Sequence, residues 1–328
     1  MLFRSHHGLQ RPALTYYRDV PDWPDQLGAT IWPYTEELFI DHFVGQRTVD
    51  YLQSVDFDRP LFLWAGFAGP HDPYDVPASA LSRYDGVEVP APLGADGELD
   101  AKPPPQRAAM EGMEGKHTPA AIWWSRATPE RIARLRRHYY ANISLVDDWV
   151  GRIAEALEAR GQLEQTLFVF TSDHGDCLGD HNQIYKFSSH YDSVARVPLV
   201  MAGPGVQKLG VREALVELID LGPTLLDLAG LDPLEDASGQ SLRPLLEGDD
   251  EAPHEVVFSE HGPRVMARTH AWKLVFYPGQ PYGELYDLRS DPGELTNLYD
   301  APEHGDAQRQ MVEHMLHWYA RTRMRRAG

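Results

Sequence analysis

A long amphipathic helix that runs straight into a strand is the feature that most restricts how this chain can fold. Thr128 suits a helix cap and Pro129 suits the first helical position. From there Ile132, Leu135, Tyr139, Ile143, Val146, Val150, Ile153 and Leu157 recur by threes and fours, forming one apolar stripe. Gly161 ends it. The run Gln165-Thr166-Leu167-Phe168-Val169-Phe170 follows at once and reads as a buried strand over 166–171. A helix with one apolar stripe must cover it, and a strand at its end points to helices packed on a mainly parallel sheet.

The remaining segments fill in that α/β class. A second strand is predicted over 198–202. Thr35 is expected to cap a helix from 36 to about 55, with Leu38, Val44, Thr48 and Leu52 on one face. The apolar run 61–67 after Pro60 suits a strand buried on both faces. Residues 86–120, rich in Pro and Gly, read as a long surface loop. Residues 1–34 show no clear period. A helix over 216–230 is expected to be interrupted early by Gly222-Pro223, and 249–253 looks like a linker. Beyond it four short apolar segments, 256–258, 264–268, 273–277 and 284–286, are spaced as an antiparallel sheet, with a closing helix over 308–321. The expected organisation is an α/β domain over 1–250 and a smaller α+β subdomain over 251–328.

Charge and cysteine content narrow the function classes. A net charge of −19 weighs against nucleic acid as a partner, because phosphate backbones need a basic surface. The arginines at 321, 323, 325 and 326 read as a solvated helix end. One cysteine excludes an intramolecular disulfide. No apolar run reaches the length of a membrane span. Residues 1–7 lack the apolar region of a signal peptide, and the compartment is left between cytoplasm and periplasm.

The chemistry concentrates in Thr171-Ser172-Asp173-His174-Gly175-Asp176. Asp173 and His174 stand at the C-terminal end of the predicted strand, where open α/β sheets place ligands. Carboxylate and imidazole there suit a divalent ion, and Lys186 downstream suits an anion beside it. Taken alone, each has an ordinary reading as a capping Asp, a loop His and an exposed Lys. Ser172 and His174 do not form a hydrolase dyad, since no Gly-x-Ser-x-Gly surrounds the serine. Cys177 has no basic neighbour in sequence and reads as a small packed residue.

From Tyr139 to Gly205 the chain resembles the sulfatase family of the alkaline-phosphatase-like superfamily. The resemblance rests on 140–144 with Val146-Asp147-Asp148, on 171–176, and on Arg196-Val197-Pro198-Leu199-Val200 with Gly203-Pro204-Gly205. It continues through 220–230, Gly239-Gln240-Ser241-Leu242 with 244–248, and Glu284-Leu285-Tyr286-Asp287-Leu288 with Asp291-Pro292. The matches come in order, and jointly they are specific although each alone is weak.

The resemblance implies metal-dependent hydrolysis of a sulfate ester, small-molecule or glycan. It implies one divalent ion on Asp173 and His174, with Ca²⁺ expected and Mg²⁺ or Mn²⁺ as alternatives. It gives Lys186 a contact to the sulfate and to the leaving oxygen. His71, in Gly69-Pro70-His71-Asp72-Pro73-Tyr74, resembles the family's Pro-His-x-Pro and would bind the anion or protonate the leaving oxygen. Asp176, His181, His190 and Asp192 are given supporting roles.

The family nucleophile, a formylglycine made from Cys or Ser in Cys/Ser-x-Pro-x-Arg, is not encoded, and Cys177 does not fit that pattern. Nothing before residue 60 reads as a strand ending in Asp-Asp. The chain is therefore expected to be an N-terminally incomplete member that shows no appreciable turnover by itself. The alternatives are a phosphonate or phosphate ester hydrolase of the same superfamily, a two-metal phosphatase-like relative, and a non-catalytic anion- or glycan-binding remnant. The oligomeric state is left open.

Overall fold

The computed structural model describes residues 20, 23–116, 122–186, 189–249 and 251–326, with side chains to 322. Most of the irregular segment expected before residue 35, the basic tail at 323–326 and Asp250 of the expected linker fall outside those descriptions. Two compact units are present, one of Met1–Pro92 with Ala108–Glu164, the other of Leu93–Arg107 with Gln165–Gly328.

The first unit is a helical pair. Helix α1, Ile40–Ser54, begins later than expected: Glu36–Leu38 is a separate 3-10 turn and Phe39 is the cap residue. Its buried face is Asp41, Gly45, Thr48 and Leu52. After α2, Pro104–Glu111, comes α3, Pro129–Ala159, capped by the Thr128 hydroxyl on the Arg131 amide at 3.3 Å. Its buried stripe keeps Ile132, Leu135, Val146, Ile153 and Leu157 of the expected one and is broader than it. Ile143 is exposed, and Ala141, Leu145 and Trp149 face inward with Phe39, Val76 and Ala80. The small residues let α1 approach: a Cβ on Gly45 would stand 2.0 Å from the Trp149 ring. Arg160 closes the end of α1, donating to the carbonyls of Leu52, Gln53 and Val55 at 2.6–3.0 Å.

Asp41 does the local organising. Fully buried, it accepts the amides of Ala68 and Gly69 at 2.7 and 3.0 Å and so fixes the loop that carries His71. Asp41→Ala should leave both amides unsatisfied, cost about 2 kcal/mol and speed their hydrogen exchange. Unchanged exchange at 68 and 69 would refute that role. The preceding run, 61–67, is not a buried strand. It forms no ladder, and Phe62 and Trp64 are 74% and 80% exposed. An apolar run supplies strand propensity but not a partner, and no described strand pairs with it.

The second unit holds both sheets. Strand β1, Phe168–Thr171, pairs with β2, Leu199–Ala202, in antiparallel sense, Phe168 opposite Ala202 and Thr171 opposite Leu199. The α/β class stands, but the parallel sense expected of this sheet does not appear among the described residues. A parallel neighbour needs a crossover element. The connection between β1 and β2 is instead taken up by a compact loop and the short helix Asp192–Ala195. Gly222 and Pro223 lie in the first turn of α4, Leu221–Leu228, and do not interrupt it.

The C-terminal sheet is the expected antiparallel meander: β3 Val257–His261, β4 Arg264–Arg268, β5 Trp272–Phe276 and β6 Glu284–Asp287, in that order. Alternation along the strands buries both faces. Val265, Ala267, Leu274 and Leu285 pack on Met311 and Met315 of α5, Gly305–Arg326. Met266, Val275 and Tyr286 turn the other way, where Tyr286 meets Cys177, Tyr191 and Val194 of the β1–β2 connection. Residues 93–107, expected as open surface loop, are anchored in this unit by buried Glu98, Lys102 and Gln106. Polar residues that find partners can be buried where composition alone suggests exposure.

Candidate active site

The site grows from the end of β1. Thr171 Oγ1 donates to the Pro198 carbonyl at 2.9 Å, tying the strand end to the start of β2. The Ser172 hydroxyl donates to the His174 carbonyl at 3.0 Å, not to its ring, which confirms that no dyad forms. Asp173 Oδ1 accepts the His174 amide at 2.9 Å, and the carboxylate is 85% exposed. His174 Nδ1 lies 2.9 Å from the Gly175 carbonyl, so Nδ1 carries the proton and Nε2 keeps its lone pair. That Nε2 stands 3.5 Å from Asp173 Oδ2. Gly175 makes the tight turn feasible: its amide donates to Val194 O at 2.8 Å, and a Cβ would fall 2.1 Å from the Ser193 carbonyl.

The pair therefore fits two adjacent ligands of one ion. Metal–oxygen and metal–imidazole distances of about 2.0–2.6 Å accommodate donors this far apart. One carboxylate and one imidazole are a share of a coordination shell, since hard ions take six or more donors.

Lys186 lies half-buried in the same unit, past the turn at Asp180–Asn182. His71 belongs to the other unit. Its Nδ1 donates to the Asp72 carbonyl at 2.8 Å and lies 3.2 Å from Asp72 Oδ1, with the side chain 54% exposed. Cys177 is fully buried, and burial pushes its thiol up to about 12, so it is no nucleophile.

The supporting residues resolve into two buried networks. In one, Lys273 Nζ reaches Asp192 Oδ1 and Glu294 Oε1 at 2.5 Å each, and Arg268 grips Asp192 through both oxygens at 3.1 and 3.2 Å. Burial raises the Asp192 carboxyl, but Lys273 and Arg268 outweigh it and hold the group below its ordinary value. In the other, Glu98 pairs with Lys102 at 3.2 Å and His181 Nδ1 at 2.7 Å, while the His181 ring stacks on Tyr191 at 3.5 Å. Glu284 accepts the hydroxyls of Tyr277 and Tyr286 at 2.7 and 2.6 Å. These networks pin the connection that carries Asp173, His174 and Lys186 onto the C-terminal sheet. His181 and Asp192 were expected as supports, whereas Glu98, Lys102, Lys273 and Glu294 carried no local sequence signal.

Sequence reasoning also missed Glu217, Asp220 and His254, whose ligand atoms lie within 4.8 Å of one another. Their chemistry is already engaged. Asp220 Oδ2 accepts the Glu217 amide and faces His254 Nε2 at 2.9 Å, Oδ1 accepts the Gln240 amide, and Glu217 Oε1 accepts the Phe258 amide. The group braces the start of α4 against the approach to β3.

The family model for sulfatases matches residues 12–231. This chain belongs to the sulfatase family. A second model, for the C-terminal part of N-sulphoglucosamine sulphohydrolase, matches residues 179–321. An arylsulfatase of Clostridium perfringens is 31% identical over 281 residues, covering 83% of this chain and 56% of its own length. A choline-sulfatase of Rhizobium meliloti is 35% identical over 291 residues, with 84% and 54% covered. The chain thus spans about half the length of these curated relatives. Among solved structures, a phosphonate monoester hydrolase of Agrobacterium radiobacter superposes with a TM-score of 0.76 at 26% identity, covering 88% of this chain and 62% of that one. These likenesses give the chain an alkaline-phosphatase-like fold with a C-terminal antiparallel sheet. No helix among the described residues is long and apolar enough to cross a membrane.

Proposed function

We propose that this sulfatase chain supplies the metal-binding and leaving-group side of a metal-dependent sulfate ester hydrolase. The observation that carries the reading is the Asp173–His174 pair, with Nδ1 on the Gly175 carbonyl and Nε2, the other ring nitrogen, 3.5 Å from Oδ2. Oδ2 and Nε2 would hold the ion, Ca²⁺ first, with Mg²⁺ or Mn²⁺ as alternatives. A divalent ion there supplies Lewis-acid polarisation of the sulfuryl oxygens. Lys186 steadies the anion and the charge that develops on the leaving oxygen. His71 offers an imidazole donor to the sulfate or a proton to the leaving group. The nucleophile of the family, a formylglycine, has no Cys/Ser-x-Pro-x-Arg precursor in these residues. Its attack is therefore not assigned to any residue here, and turnover by this chain alone is expected to be negligible in a phenyl sulfate assay.

The substrate is a sulfate ester of a small molecule or a glycan. Asp173→Ala should weaken Mn²⁺ binding, read by calorimetry and by the ion's magnetic resonance, at least about tenfold. Equal Mn²⁺ affinity in the variant would overturn the site assignment. A second reading, phosphonate or phosphate ester hydrolysis, draws on the likeness to the phosphonate monoester hydrolase. Comparing how phenyl sulfate and phenyl phosphonate bind, each with and without Lys186→Ala, separates the two.

A further inference from the structure

The tip of the β3–β4 hairpin carries a buried cation without a carboxylate. Arg264, 7% exposed, donates from Nε to the His261 carbonyl at 3.3 Å and sits 6.0 Å from the centre of the Tyr277 ring. Among the described residues it makes no ion pair. Its neighbours in the sheet behave differently. Arg268 and Lys273 are both matched by Asp192, and Lys273 also by Glu294. Glu284, bonded to the Tyr277 hydroxyl, also takes the Tyr286 hydroxyl and the Gln106 amide. A buried guanidinium left with a carbonyl and a ring face is an unbalanced charge, and such charges are normally paired.

A second orphan lies beside it. His190 is 4% exposed, and its Nε2 is buried with no hydrogen-bond partner among the described residues. Its ring meets the His261 ring edge to face, centres 6.4 Å apart at 86°. Burial, Arg264, His261 and Lys273 together lower His190 to about 3, so it stays a neutral imidazole, and its Nε2–H tautomer would offer a donor to an anion. His261, at the end of β3 and exposed, lies in the field of both Arg264 and His174. His261 thus links the two: its carbonyl takes Arg264, its ring faces His190, and it alone of the three feels the charge of His174.

We infer that Arg264, His190 and His261 form a pocket for a second anionic group of the substrate, a carboxylate or sulfate distinct from the one cleaved. An oxyanion there would balance the guanidinium and accept the His190 proton donor, removing both deficits at once. The inference rests on the sulfatase reading for the word substrate, but the pocket itself is an anion site whatever bond is cleaved. It makes the preferred ester at least dianionic.

The test uses the 328-residue chain with sodium acetate and sodium sulfate at constant ionic strength in chloride, following the ring nitrogen resonances of His190 and His261. The expected result is a saturable shift of both rings in the wild type, unchanged in Lys186→Ala. Arg264→Gln should weaken it by about tenfold or more, and Arg264→Lys should restore most of it. Wild-type rings that fail to saturate with either anion would overturn the pocket. So would an Arg264→Gln chain, folded by its Tm, that saturates at wild-type concentrations. If Arg264→Gln does not fold, the wild-type titration and Arg264→Lys still decide. The sulfatase reading is judged separately: phenyl sulfate binding that ignores Lys186→Ala would sink that reading and leave the pocket standing.

Discussion

Lys273→Met should lower the unfolding free energy by about 3–5 kcal/mol, the largest single effect expected in this chain. The side chain is fully buried, and its ammonium is the shared partner of Asp192, Glu294 and the His190 carbonyl. Methionine keeps much of the volume and removes the charge. Glu294, itself 2% exposed at the side chain, then loses its cation, and Asp192 keeps only Arg268. The loss exceeds the worth of the pair because uncompensated carboxylates remain in a dry environment. Chemical denaturation monitored by far-ultraviolet dichroism gives the number. A loss below about 1 kcal/mol, the range of surface pairs, would show that the network is solvated. A double variant, Lys273→Met with Glu294→Gln, should recover part of the loss, since the second change removes a stranded charge.

Acidification from pH 6.5 to about 4 should remove the stability that two buried neutral histidines contribute. His138, buried in α3, has its Nδ1 3.0 Å from the Tyr74 carbonyl, and burial with the nearby Arg134 lowers it from 6.5 to about 4. His190 is lowered further, to about 3. The folded values lie below the unfolded ones, so the unfolded chain takes up protons first as pH falls. The stability contributed by the neutral rings is whole above 6.5 and drains as pH drops through the folded values. For His138 alone this is on the order of 3 kcal/mol. Asp192 and Glu98, both held below their ordinary values, extend the loss to lower pH with the same sign. The check is unfolding free energy against pH for the wild type and His138→Asn. The asparagine amide can replace the Nδ1 donor without titrating, so the variant should show a shallower slope across that window. Parallel slopes would remove His138 from the account.

How much of this was legible in the sequence depends on the distance over which each feature is made. The start of α3 was readable because Thr128 and Pro129 act on their own helix. Its buried face was readable in Ile132, Leu135, Val146, Ile153 and Leu157 but not in its polar part, because Arg136, His138 and Asn142 are buried on carbonyls of Pro90, Tyr74 and Asp75, far along the chain. A stripe drawn from apolar residues alone therefore included exposed Ile143 and missed Trp149. The local geometry of Asp173 and His174 was legible because the two residues are adjacent and the ring is oriented by the next carbonyl. The networks beneath it were not: His181 and Glu98 are 83 residues apart, and Lys273 and Asp192 are 81. The run 61–67 was misjudged for a related reason, since strand-forming composition reports propensity and not pairing.

That exposed run bears on how the molecule behaves in a flask. Phe62 and Trp64 present bare rings on an unpaired segment, while a net charge of −19 keeps molecules apart. The repulsion reaches only about 8 Å at physiological ionic strength and shrinks further with added salt. Colloidal stability is then a contest between a long-range charge that buffers can screen and a short sticky edge that they cannot. Light scattering against salt concentration reads that contest directly, and a polar residue in place of Trp64 shifts its balance without touching a buried contact.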